Sequence, residues 1–134
     1  MAKTWQQKFH GAKPAHVAVL DKAYAGVPPG GRLFVASPPV IDHYVRTIPP
    51  GERRSVARLR TDLAATYGAD ATCPTSTAIF LRIVAEVATE GLRAGRPATE
   101  VTPFWRVVDA DSPLARKLSG GPELILAQRG REAA

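Results

Sequence analysis

Residues 55–91, SVARLRTDLAATYGADATCPTSTAIFLRIVAEVATEG, decide how the chain is read. Ser55 is placed to cap a helix in which Val56, Leu59, Leu63, Ala64 and Tyr67 recur at helical spacing, and Gly68 falls where a left-handed cap is wanted. After the turn Ala69-Asp70-Ala71-Thr72, either Thr72 or Cys73 precedes Pro74, and a further helix runs through Ile79, Phe80, Ile83, Val84 and Val87 toward Gly91. Two amphipathic helices joined by a short turn form a helix-turn-helix pattern. Bundles that never meet nucleic acid contain the same pair.

Working outward, Val27-Pro28-Pro29-Gly30-Gly31 is a turn cluster, and the apolar Arg32-Leu33-Phe34-Val35-Ala36 behind it reads as a buried strand. Ser37 then caps a helix that starts with Pro38, buries Val40, Ile41, Tyr44, Val45 and Ile48 on one face, and stops before Pro49-Pro50-Gly51. Residues 1–31 are expected to form a loosely structured N-terminal arm outside a single domain over 32–134. Downstream, Val101–Val108 mixes β-branched and aromatic residues around Pro103 and predicts a loop entering a short strand or extended segment. Ser112-Pro113 opens a brief helix through Leu118. Gly120-Gly121-Pro122 opens the last helix, with Glu123 near the positive end of its dipole. The expected class is α+β, mostly helical.

With 134 residues, 45% of them hydrophobic, the chain can bury one compact core. Its start carries charge with no long apolar run behind it, so neither a secretory signal nor a membrane span is expected, and the reading is cytoplasmic. Cys73 is the one cysteine and His10, His16 and His43 are scattered. That spacing predicts no disulfide, metal site or cofactor. The net charge of +6 comes from 18 Lys and Arg against 12 Asp and Glu, with 13 of the 18 arginine. Arginine's planar fork suits phosphate, although a positive balance also serves solubility alone.

Three segments, in order, resemble the C-terminal DNA-binding half of the O6-alkylguanine-DNA alkyltransferases and the related alkyltransferase-like proteins. Ile48-Pro49-Pro50-Gly51-Glu52-Arg53-Arg54-Ser55 resembles the family's Ile-Pro-x-Gly-x-x-x-Thr approach to the first helix of its helix-turn-helix. Thr102-Pro103-Phe104-Trp105-Arg106-Val107-Val108 is similar to its Pro-Cys-His-Arg-Val active-site segment, and Gly120-Gly121-Pro122-Glu123 to the glycine turn before its last helix. The likeness covers roughly residues 38 to 132, and is closest to a divergent bacterial branch that lacks the cysteine. It implies a winged-helix-like helix-turn-helix domain acting as a monomer on double-stranded DNA, in the nucleoid, with alkylated guanine as the lesion recognised.

The departures from the family set the expected function. Phe104 falls at the position of the acceptor cysteine and Trp105 at that of the histidine, so neither can be alkylated or relay a proton. Glu132 falls near the glutamate that orients the histidine, and without its partners reads as a solvated helix-end carboxylate. Val56 replaces the tyrosine that turns a phosphate. Arg82 is the nearest candidate for the family's arginine finger, with a solvent-facing helix arginine as the alternative.

The expectation is a non-enzymatic DNA-binding protein. Arg53, Arg54, Ser55, Arg58 and Arg60 would meet the backbone, and Thr75, Ser76, Thr77 and Arg82 would lie on the recognition helix. Pro103, Phe104, Trp105 and Arg106 would line a base pocket, since a flipped base is held by stacking; the alternative is that both aromatics pack in the core, Phe104 more readily than Trp105. Two alternatives stay open. One is a divergent alkyltransferase using Cys73, whose thiolate a helix N-terminus would stabilise. The other is a protein-interaction domain that kept only the fold.

Overall fold

A computed structural model describes residues 2–134; Met1 lies outside the described residues. The described residues form a mostly helical α+β arrangement of six α-helices and a three-stranded sheet. Serine and proline punctuation sets three of the helix starts. Ser37 caps α2 (Pro38–Arg46), Ser55 caps α3 (Val56–Thr66) and Ser112 caps α5 (Pro113–Lys117), each hydroxyl accepting an amide hydrogen three residues on. Satisfying one of the orphan amides at each start stabilises it by about 1 kcal/mol. After α3, Gly68 takes the left-handed conformation, φ +67°, that lets the chain reverse.

The longest helix, α4 (Pro74–Arg93), starts at Pro74 as expected but runs through Gly91 rather than stopping there. Gly91 sits close to residue 101: a β-carbon on it would lie 3.0 Å from Val101 Cγ1, which would have to shift. Its apolar side, Leu81, Val84, Ala85 and Ala88, packs against Ile41 and Val45 of α2, Leu59 of α3, and Phe104, Trp105 and Ile125 in one core. The last helix, α6 (Gly121–Ala133), contributes Ile125 and Gln128 from its inner face.

Three expectations are corrected. Among the described residues before 32 the chain is folded, not a loose arm: α1 (Trp5–Gly11) packs on α4, and β1 (His16–Val19) pairs antiparallel with the whole of β2 (Arg32–Val35), from His16 opposite Val35 to Val19 opposite Arg32. Thr4 and Gln7 form a reciprocal capping box at the start of α1. The turn between α3 and α4 contains a two-residue strand, β3 (Ala71–Thr72), parallel to β2. The Asp70 amide donates to the Arg32 carbonyl and the Cys73 amide to the Phe34 carbonyl, so both ends of this turn are tied to the sheet.

The third correction concerns residues 101–108, which hold no strand. Ala98–Glu100 and Phe104–Arg106 are short 3-10 turns, and Val101 through Trp105 are all buried. A buried backbone must satisfy its polar groups. Here the Phe104 amide donates to the Thr102 carbonyl, and the Val107 and Val108 amides to the Phe104 carbonyl. No helix among the described residues is long and apolar enough to cross a membrane.

Candidate functional site

An open groove of about 510 Å3 lies between α3, α4 and the segment after the buried aromatics. One wall is Val56 at the first position of α3. A second is Ala78, Ile79, Leu81 and Arg82 of α4, and the third runs from Val107 through Leu114 to Lys117. The sequence opens this space locally: Ala78 is small, and Arg82 follows it one turn along the same face. Ile79 is 55% exposed at the groove, an apolar side chain that the fold leaves without a partner. The groove's volume falls in the range of ligand pockets, which are mostly apolar with a few polar groups.

Among the described residues, neither Arg82 nor Lys117 makes an ion pair, whereas Asp109 is matched by Arg129 at 3.0 Å. The groove therefore presents uncommitted positive charge beside apolar walls. It holds no thiol. Its one hydroxyl side chain, Ser112, is engaged in capping α5 and donates to the Asp109 carbonyl at 2.6 Å.

The expected base pocket of Pro103, Phe104, Trp105 and Arg106 is corrected. Phe104 is 0% and Trp105 1% exposed, packed edge to face with ring centres 5.4 Å apart, and Pro103 is buried with them. No base can stack on rings enclosed in this way. Arg106 is also internal: its guanidinium donates to both oxygens of Glu132, at 2.8–3.1 Å, and to the Ile48 carbonyl at 2.6 Å.

Glu132 is thereby corrected from a solvated helix-end carboxylate to a hub. Besides Arg106 it accepts the Trp105 indole N–H at 2.7 Å and the Gly51 amide at 2.9 Å. Burial pushes its carboxyl up, but Arg106, the Gly51 amide and the Trp105 indole outweigh this and hold it at about 2. A small open space of about 60 Å3 adjoins this hub. The spacing of Ile125, Gln128, Arg129 and Glu132 along α6 is the sequence signal that places this carboxylate on the inner face.

The arginine cluster separates in space. Arg53 is exposed in the loop before α3 and makes no ion pair among the described residues. Arg58 reaches Asp62 at 3.5 Å but stays 57% exposed. Arg54 instead pairs with Glu52 at 2.9 Å and lies over the Tyr44 ring at 5.6 Å, while Tyr44 donates to Asp62. Arg60 turns inward and donates to the Thr72 carbonyl at 3.2 Å. The Ser55 hydroxyl is occupied as the α3 cap.

On α4, Thr77 is fully buried and donates to the Cys73 carbonyl, which removes it from any contact surface. Thr75 is exposed, 3.0 Å from the Tyr24 hydroxyl. Cys73 stands half-buried at the N-cap of α4 and does not line the groove. Burial pushes its thiol up, while the Ser76 hydroxyl and amide, the Tyr24 hydroxyl and the Thr75 amide lower it further than that. Ser76 Oγ is buried and completes no hydrogen bond.

Arg53, Arg58, Thr75 and Arg82 thus keep accessible polar groups, whereas Thr77, Phe104, Trp105 and Arg106 belong to the interior. Sequence reasoning missed Ile79, Val107, Leu114 and Lys117 as groove walls, because each reads as ordinary helix or loop until the 107–117 segment folds back onto α4. Compared with protein-family models, with curated proteins and with solved structures, the chain matches none of them.

Proposed function

We propose that this chain is a DNA-binding protein of the winged-helix-like helix-turn-helix kind that receives an alkylated base in the groove between α3, α4 and residues 107–117, without repairing it. The observation that carries the reading is the groove itself, with apolar walls and with Arg82 and Lys117 free to meet phosphate. An extruded base needs flat apolar walls, and the phosphates flanking it need cations. The absence of a thiol among the lining residues, together with Phe104 at the position of the family's acceptor cysteine, supports binding without transfer. Arg53 and Arg58 supply the exposed backbone contacts beside α3.

The test compares matched duplexes with and without O6-methylguanine. Ala78→Trp fills the groove from the helix wall and is expected to erase the preference for the alkylated duplex, since stacking one base is worth about 1–3 kcal/mol. Binding to plain duplex should persist. Arg53→Gln with Arg58→Gln is expected to weaken both duplexes equally and to flatten the salt slope by about 0.9 for each phosphate no longer neutralised. No salt-dependent binding by the wild type would favour a protein-interaction domain instead. A methyl group found on Cys73 by mass spectrometry after incubation with the alkylated duplex would favour the enzyme.

A further inference from the structure

We infer that Trp5 is a positioning residue, one that holds the Arg82 guanidinium at the groove for a backbone phosphate of the bound nucleic acid. This rests on the DNA reading above. Arg82 Cζ lies 5.3 Å from the centre of the Trp5 ring, within cation–π range, and the same ring carries Lys8 Nζ at 4.4 Å. The other restraint on Arg82 is weak: Nη2 reaches the Lys117 carbonyl at 3.4 Å. Its Nε is buried without a hydrogen-bond partner. A guanidinium fixed by a ring face keeps its charge and its in-plane donors, which an ion pair would consume.

Trp5 is poorly explained as packing. α1 has no fully buried residue, and Phe9 is the member of this helix that packs against the core. Trp5 meets cations instead. The capping box of Thr4 and Gln7 sets the first turn of α1, and the packing of α1 on α4 through Phe9 places the ring over Arg82. The N-terminal segment thereby contributes to the groove while none of its residues lines it.

The experiment has two arms. In the free protein, the Arg82 Nε–Hε resonance should be shielded by the ring, should move toward an unshielded position in Trp5→Leu, and should stay close to the wild-type position in Trp5→Phe. The Trp105 indole N–H resonance, set by Glu132, serves as the folding control. On O6-methylguanine duplex, Trp5→Leu should weaken binding about three- to tenfold, the range of one cation–π contact. Trp5→Phe should restore most of that. Adding Trp5→Leu to Arg82→Gln should cost nothing further. An Arg82 resonance that ignores Trp5→Leu, or losses that add in the double variant, would overturn the inference while leaving the DNA reading standing. Wild-type protein that binds neither duplex would overturn the DNA reading, and with it the assignment of phosphate, whatever the resonance shows.

Discussion

Trp105→Ala is expected to destabilise the fold by about 3–5 kcal/mol, the usual cost of deleting a large buried aromatic. The indole is 1% exposed, packs edge to face on Phe104 and donates to Glu132 at 2.7 Å. Its removal leaves a cavity and takes one of the donors from the hub carboxylate. A domain of this size has about 5–15 kcal/mol in total, so the variant should unfold at a much lower urea concentration with an unchanged denaturant slope. Any preference for alkylated duplex in the molecules still folded should be unaffected. Near-normal stability combined with lost lesion preference would return Trp105 to the recognition surface.

Glu132→Gln should cost about 3 kcal/mol at neutral pH, and the size of that cost should depend on pH. The folded carboxyl titrates at about 2, against an ordinary value of 4.5, so the unfolded chain takes up this proton first as the solution is acidified. The stabilising contribution is complete above about pH 5 and disappears as the pH falls toward 2; at about 1.4 kcal/mol for each pH unit separating the folded and unfolded values it reaches about 3 kcal/mol. Both side chains of the Glu132 and Arg106 pair are about 15% exposed or less, so solvent screens the pair little. The informative quantity is the difference between wild type and variant, which cancels what the rest of the chain contributes. That gap should be widest at about pH 7 and reduced to about a quarter of that at about pH 2.5. A gap of equal size at both would mean that the Glu132 charge does not hold the hub.

The local starts of α2, α3 and α5 are legible in the sequence because Ser37, Ser55 and Ser112 each act on an amide three residues away. The sheet is not legible in the same way. β1 is four residues long, too short for alternation to stand out, and β3 exists only because Leu33 and Phe34 lie opposite Ala71 and Thr72. Residues 101–108 look like a strand because they are β-branched and aromatic. Enclosed on every side, they meet their hydrogen-bonding needs through tight local turns instead. The site follows the same division: a sequence counts arginines but does not say which are already engaged. Arg54 and Arg106 are committed to Glu52 and Glu132, and Arg60 to a carbonyl, while Arg53 and Arg82 make no ion pair among the described residues. Glu132 joins Gly51, Trp105 and Arg106 across 81, 27 and 26 positions of sequence, a convergence that helical periodicity hints at only from the α6 side.

The two-residue strand β3 changes the mechanics of the pair it connects. A turn between two helices is ordinarily a pivot, and its freedom must be surrendered when both helices dock on the same object. Here Asp70 and Cys73 are fastened to β2 on either side of the turn, and Arg60 of α3 exchanges hydrogen bonds with Thr72. The hinge is welded before any partner arrives. Whatever α3 and α4 meet, they meet it as a single rigid jaw whose angle is set by the sheet, so docking requires little further ordering. The amides of Asp70 and Cys73 should accordingly exchange with solvent as slowly as those in the middle of α4, and far more slowly than those of an open interhelical turn.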